Sequence, residues 1–455
     1  MQTTIWAETA LLPEGWADGV RVGIASGRIA EVAPAAPAPA PDDIRVGALL
    51  PAPGNLHSHA FQRAMAGLTE HRTSAADSFW TWRDLMYRFV ARLEPEDVEA
   101  IAAQVFVEML EAGFAAVGEF HYLHNTPDGA AYAEPAELSA RIAAAAAETG
   151  IGLTHLPVLY MTGGIDGRPL AGGQQRFGAD LEGFRRIVEG AAEALRPLAD
   201  ARLGVAPHSL RAVPAEALGQ AAALRPCDPV HIHVAEQRAE VEEIAQATGR
   251  RPVERLLEIA PVDARWCLIH ATQMTPEETR ALAVSGAVAG LCPITEANLG
   301  DGIFDGARYL AAGGRFGIGS DANLRIGLAE ELRQLEHSQR LRDGARAVLS
   351  DGVRSVGRTL FDGAVSGGAQ ALGRDAGAIA PGRLADLVAL ARGGLALDGL
   401  AGDGLLDAWI FAGDDRLVDR VWSAGRPVVR DGRHRARTGV EARFRRVMAR
   451  LRGAL

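Results

Sequence analysis

The chain of 455 residues contains no lysine: all 47 of its basic residues are arginine. Codon bias accounts for such a composition, but the chemical consequence is independent of its cause. Schiff-base chemistry, pyridoxal phosphate attachment and a phosphate-loop lysine are excluded. So is a two-metal centre bridged by a carbamylated lysine. Cysteine is scarce as well. Cys227, Cys267 and Cys292 are odd in number and far apart, so neither a disulfide framework nor a thiolate zinc site is expected. No apolar run approaches the ~20 residues of a membrane helix. The opening MQTTIWAETALLPEGW lacks the basic start and apolar core of a signal peptide. The net charge of −10 argues against nucleic acid and anionic membranes as partners, because both favour basic patches. A soluble, cytoplasmic protein is the expectation.

The length exceeds the roughly 250–300 residues at which one core stops growing, so a large domain and a smaller one are expected. Short strand-like pieces occupy both ends, such as Val20–Ile24, Leu384–Leu390 and Val421–Val429. They read as one small β-sandwich domain built from residues 1–48 and 376–455, with a closing helix near 440–452. The Ala/Pro tract at 33–41 reads as an extended linker. Between the ends, residues 49–375 alternate helical patterns with short apolar strands, the signal of a parallel sheet with crossover helices. Pro95, Glu96 and Asp97 open a helix whose stripe is Val98, Ile101, Val105 and Met109. Thr275-Pro276-Glu277-Glu278 is a capping box for another. Strand candidates lie near 49–57, 115–121, 153–160, 203–208, 229–235, 266–270, 286–292 and 315–321. Eight strands alternating with helices predict a (β/α)8 barrel. An open doubly wound sheet is the runner-up, and no Gly-rich phosphate loop supports it.

In such a barrel the chemistry sits where strands end. His57 and His59 share one face at the end of the first strand, because strand side chains alternate. His208 ends the fourth strand. His233 stands near the end of the fifth, with Glu236 in the turn beyond; His270 ends the sixth and Asp321 the eighth. Imidazole and carboxylate ligands with open positions suit one catalytic zinc ion, although iron or manganese would accept the same donors. A bound ion of this kind lowers the pKa of water from about 15.7 to ~7.

The motifs NLHSHAFQRAMAG, GEFHYLH, APHSLRAV, HIHVAEQ and GSDANLRIG resemble those of the amidohydrolase superfamily and, within it, the formimidoylglutamate deiminase family. The likeness covers nearly the whole chain. One departure is Pro53-Gly54-Asn55, where the superfamily more often has glycine two residues earlier. The resemblance implies that His57, His59, His233 and Asp321 are metal ligands, and that Glu236, His270 and Asp321 are catalytic. It implies Gln62, Arg83, Tyr122, His208 and Arg211 as substrate-binding residues. It implies a single divalent metal ion, most often zinc, a metal-bound hydroxide that deiminates N-formimidoyl-L-glutamate in histidine degradation, and a homodimer as a common assembly.

Arginine suits that dicarboxylate substrate because it binds carboxylates bidentately. The long stretch from Ala60 to Leu93, which carries Gln62 and Arg83, has the length of an active-site loop. Other histidines read as structural: His121, His124, His155 and His231 as core, and His71, His337 and His434 as surface. Cys292-Pro293 matches half of the zinc signature of nucleobase deaminases but lacks its second cysteine. Two alternatives remain open at this stage. One is a guanine- or adenosine-type aminohydrolase on the same barrel, and the other is a non-catalytic barrel kept as a binding module.

Overall fold

A computed structural model describes residues 3–36, 38–68, 70, 79–391 and 393–453, with the side chains of 79–84 outside the description. Its centre is a set of parallel strands in two arcs. The first arc runs Gly54–Ser58, Ala116–His121, Gly152–Leu159 and the short pieces Arg202–Leu203 and Ala206–Pro207. The second runs Val230–Val234, Trp266–His270, Val288–Leu291 and Arg315–Ile318. The arcs meet at both seams through isolated bridges rather than long ladders. Ser58 pairs with Asp321 at one seam, and Val205 with Val230 and Ser209 with His233 at the other. At the first seam the His57 carbonyl accepts the Asp321 amide at 3.0 Å, and the Asp321 carbonyl accepts the His59 amide at 2.9 Å. This is the expected (β/α)8 arrangement of eight strands with helices outside.

One expectation needs correction. The apolar run read as a single strand over 49–57 is two strands. Ile44–Pro51 belongs to the sheet of the chain ends, where Leu49 and Leu50 pair with Ala389 and Val388. The barrel strand begins at Gly54. Pro53, which has no N–H to donate to a ladder, sits at the break. The apolar pattern continues across it because both strands are buried on both faces.

The two chain ends form one eight-stranded sheet that reads, edge to edge, 433–434, 426–430, 418–423, 387–390, 44–51, 3–12, 15–25 and 28–33. Its Ile5, Ala7, Val22, Ile24, Val46, Leu387 and Trp422 enclose an apolar cluster separate from the barrel's. The bridge between Arg28 and Leu384 curls the sheet back on itself. The stretch 34–36 and 38–43 forms no strand. The closing helix spans Arg437–Arg452 and lies against the barrel helix Pro95–Glu111. That helix buries Val98, Ile101, Val105 and Met109, and its Glu94 amide is capped by Asp97 at 2.8 Å. The Thr275 box also forms: the Thr275 hydroxyl accepts the Glu278 amide at 3.2 Å, and Glu278 accepts the Thr275 amide at 2.8 Å.

Candidate active site

Strand direction and side-chain alternation bring His57 and His59 to the C-terminal mouth of the barrel, with Asp321 beside them across the seam. A hydrogen-bonded group holds this seam. Asn55 donates to the Ser320 hydroxyl at 2.6 Å, Ser320 donates to Asn323 at 2.6 Å, and Asn323 donates to the Ser58 hydroxyl at 3.1 Å. Gly319 lets the eighth strand close up here, since a Cβ there would lie 2.8 Å from the His57 Cβ. Ala235, His270, Ala271 and Asp321, all at strand ends, have positive φ of 52°, 70°, 51° and 44°. Such backbone persists only where surrounding structure enforces it, and it concentrates at functional sites.

His57, His59, His233 and Asp321 each bring one donor atom to a common point, all within 4.8 Å of one another and all buried. The Asp321 Oδ1 atom lies 3.4 Å from His57 Nε2 and 3.3 Å from His59 Nε2. The Phe120 carbonyl accepts from His59 Nδ1 at 2.9 Å, and the His208 carbonyl from His233 Nδ1 at 3.2 Å. Those carbonyls put the proton on Nδ1 and leave each Nε2 lone pair aimed inward. Protonation agrees with this. Burial pushes His57 down to about 3 and lowers His59 and His233 too. Burial alone would raise Asp321, but its hydrogen bond to His57 and the nearby His59 and His270 hold it below the usual carboxylate range. Three neutral imidazoles and one carboxylate are the forms that ligate a cation, so the donors fit a divalent metal ion.

His270 and Glu236 stand beside this point. The Nε2 atom of His270 is 3.8 Å from Glu236 Oε1 and 4.0 Å from Asp321 Oδ2. Burial opposes a charge on His270, but Glu236, the hydrogen bond to Glu296, and Asp321 outweigh it and raise its pKa well above the usual value. Burial pushes the Glu236 carboxyl up to about 7 against the pull of His270 and Arg211.

A cleft with about 590 Å³ of atom-free space opens above the cluster, and Gln62, Tyr122, His208 and Arg211 line it. Gln62 donates to the Tyr122 hydroxyl at 2.6 Å. Half-buried Arg211 has its Nε 4.0 Å from Glu240 Oε1. Arg83 belongs to the helix Phe79–Val90, and its side chain lies outside the described residues, as does His71. His121, His124, His155 and His231 are buried and His337 is exposed. His434, read as a surface residue, is instead buried, with Nε2 on the Thr149 carbonyl at 2.9 Å. Its amide also donates to Glu111 at 2.8 Å, so helices that end at Glu111 and Thr149, far away in the chain, cover a position that looks polar in a tail rich in arginine.

Sequence reasoning missed several cleft residues. Tyr160, one position beyond the third strand, was within reach of the strand-end rule. Met86, Tyr87, Phe177 and Leu299 come from long connections and carry no signal of their own. Glu296 was missed too, although it lies in the first turn of the short helix Pro293–Leu299, directly after Cys292.

Imidazoles and a carboxylate gathered at the C-terminal mouth of a parallel barrel, below a lined cleft, define the class: a hydrolase with a metal-binding group. The chain belongs to the amidohydrolase family, whose model matches residues 48–428. Residues 2–46 match the model of the formimidoylglutamate deiminase HutF N-terminal domain. Formimidoylglutamate deiminase of Pseudomonas aeruginosa is 53% identical over 435 residues, covering 95% of this chain and 96% of that protein. A 5-methylthioadenosine/S-adenosylhomocysteine deaminase of Natronomonas pharaonis is 28% identical over 73% of this chain and 70% of its own. Among solved structures, an amidohydrolase from Brucella melitensis superimposes with a TM-score of 0.95 at 51% identity, covering 99% of both chains. A zinc-bound adenosine deaminase from Xanthomonas campestris shares the fold, with a TM-score of 0.83, 22% identity and coverage of 99% and 98%. The chain is a hydrolase acting on a C–N bond. Among the described residues, no helix is long and apolar enough to cross a membrane.

Proposed function

We propose that this chain hydrolyses N-formimidoyl-L-glutamate to N-formyl-L-glutamate and ammonia, a step of histidine degradation. The carrying observation is the 53% identity over 95% of the chain to the Pseudomonas aeruginosa deiminase, joined to a cleft that holds a half-buried arginine beside the imidazole cluster. The Nε2 atoms of His57, His59 and His233 and a carboxylate oxygen of Asp321 would hold one divalent ion, zinc by preference for this donor set. When bound, that ion supplies Lewis acidity that makes water nucleophilic at neutral pH.

The remaining work falls to side chains. Asp321 accepts a proton from the attacking water as its oxygen bonds to the formimidoyl carbon. Glu236, whose raised pKa keeps a proton available near neutrality, gives it to the imine nitrogen. His270 Nε2 faces the same space and stabilises the tetrahedral centre. Asp321 then passes its proton to the substrate nitrogen as the C–N bond breaks and ammonia leaves, and the hydroxyl proton of the centre returns to Glu236 as the formyl carbonyl forms. Arg211 and Arg83 clamp the two substrate carboxylates, and Gln62, Tyr122 and His208 complete the wall.

The aromatic lining of Tyr87, Tyr122, Tyr160 and Phe177 favours a second reading, an adenosine- or guanine-type aminohydrolase whose base would stack there. Such a substrate has no carboxylates for Arg211. Ammonia release from N-formimidoyl-L-glutamate, compared with adenosine and guanine under identical conditions, separates the two.

A further inference from the structure

We propose that Glu296 is a positioning residue for the reaction, acting through His270: it accepts the Nδ1 proton and turns Nε2 toward Glu236 and Asp321. The inference rests on the catalytic place given to His270 above. Glu296 Oε1 lies 3.3 Å from His270 Nδ1 and accepts the Cys292 amide at 2.8 Å. The carboxylate is only 5% exposed, so water does not compete for these donors.

The carboxylate is itself fixed in place. Its helix, Pro293–Leu299, is fastened at the start by buried Glu331, which accepts the Ile294 amide at 2.9 Å, and by Thr295, which donates to the Ser320 carbonyl at 3.4 Å. The seventh strand's end is thereby tied to the loop that carries Asp321. His270 depends on such support because its backbone and that of Ala271 both have positive φ. An imidazole ring has two nitrogens, and a half-turn about its χ2 would point carbon into the cleft. A carboxylate on Nδ1 selects one orientation of the ring.

His270, Cys292 and Glu296 could also be taken for a ligand set. Within that set Glu296 Oε1 already accepts both the Cys292 amide and His270 Nδ1, so the three are joined by hydrogen bonds that need no metal. The pair that bears on the reaction is imidazole and carboxylate, with His270 Nε2 facing Glu236 and Asp321.

The test is a double-mutant cycle on the metal-loaded enzyme, comparing Glu296→Ala, Glu296→Gln, His270→Ala and the double variant His270→Ala/Glu296→Ala. Glu296→Ala is expected to lower kcat by about 10–100-fold, with KM and metal content unchanged. Glu296→Gln, which keeps an acceptor oxygen, should recover part of that loss. In the His270→Ala background, removing Glu296 should cost nothing further, whereas a merely structural role would give the same factor in both backgrounds and overturn the proposal. Histidine-selective ¹⁵N NMR is the second readout. It should show His270 Nδ1 protonated in the parent protein and altered in Glu296→Ala, and an unprotonated Nδ1 in the parent overturns the proposal whatever the substrate. If the parent enzyme releases no ammonia from N-formimidoyl-L-glutamate, the reading of function fails, and the NMR result still decides the part played by Glu296.

Discussion

The Nε2 atoms of His57 and His233 approach to 3.2 Å at the base of the cleft. His233 carries its proton on Nδ1, toward the His208 carbonyl, so a lone pair faces its neighbour. Burial keeps both rings neutral. With Asp321 Oδ1 3.4 Å from the same His57 nitrogen, neutral imidazoles and a carboxylate converge on one spot, and that convergence is the physical case for a metal centre here.

It follows that purified protein should carry close to one divalent ion per chain, read by elemental analysis. A chelator should abolish turnover, and zinc should restore it. Because the ion binds only the folded state, loading it at 100 times its Kd should stabilise by about 2.7 kcal/mol, seen as a raised melting temperature. His233→Ala should lose both the ion and that increment.

Glu236→Gln keeps the shape of the side chain and removes its proton chemistry. The variant should retain its metal and lose roughly 10²–10⁴-fold in kcat. The parent enzyme should also lose activity as pH rises through about 7, the value to which burial pushes this carboxyl, because the proton donor is then ionised. Measured pH–rate profiles should lack that alkaline limb in Glu236→Gln.

Arg211 is the described cation in the cleft wall. A charge-assisted bond to a carboxylate contributes about 1.5–3 kcal/mol, so Arg211→Ala should raise KM by roughly 10–100-fold while kcat falls less. Arg83→Ala should behave alike if both carboxylates are clamped. Steady-state kinetics with N-formimidoyl-L-glutamate checks both variants.

Glu119, which holds the chain on either side of His59, gives a stability prediction. Its Oε1 accepts the Ala60 amide at 2.7 Å, and burial pushes its carboxyl up to about 8 from an ordinary 4.5, against the pull of Ala60 and Ser58. Between those values the folded chain holds a proton that the unfolded chain releases. Stability is therefore favoured at acid pH and lost as pH climbs toward 8. Glu119→Gln keeps an acceptor for Ala60 and removes that loss. Thermal melts should show the variant gaining on the parent between pH 5 and 8, and a constant difference would refute it.

The parts of this site that were legible in the sequence are those that follow from strand geometry. His57 and His59 share a face because side chains alternate, and His233, His270 and Asp321 were found because strand ends are where a barrel gathers its chemistry. The first strand was misjudged because burial on both faces erases the pattern that would have marked the break at Pro53. Phe177 and Glu296 were not legible, since connections between strands and helices have no period. His434 was misplaced because burial by a helix distant in sequence leaves no local trace.

The most direct measurement is ammonia released by the metal-loaded protein from N-formimidoyl-L-glutamate, set beside adenosine and guanine. The account predicts rapid release from the imine, equimolar N-formyl-L-glutamate, and no release from the nucleoside or the base. Ammonia from adenosine or guanine, with the imine left intact, would contradict it.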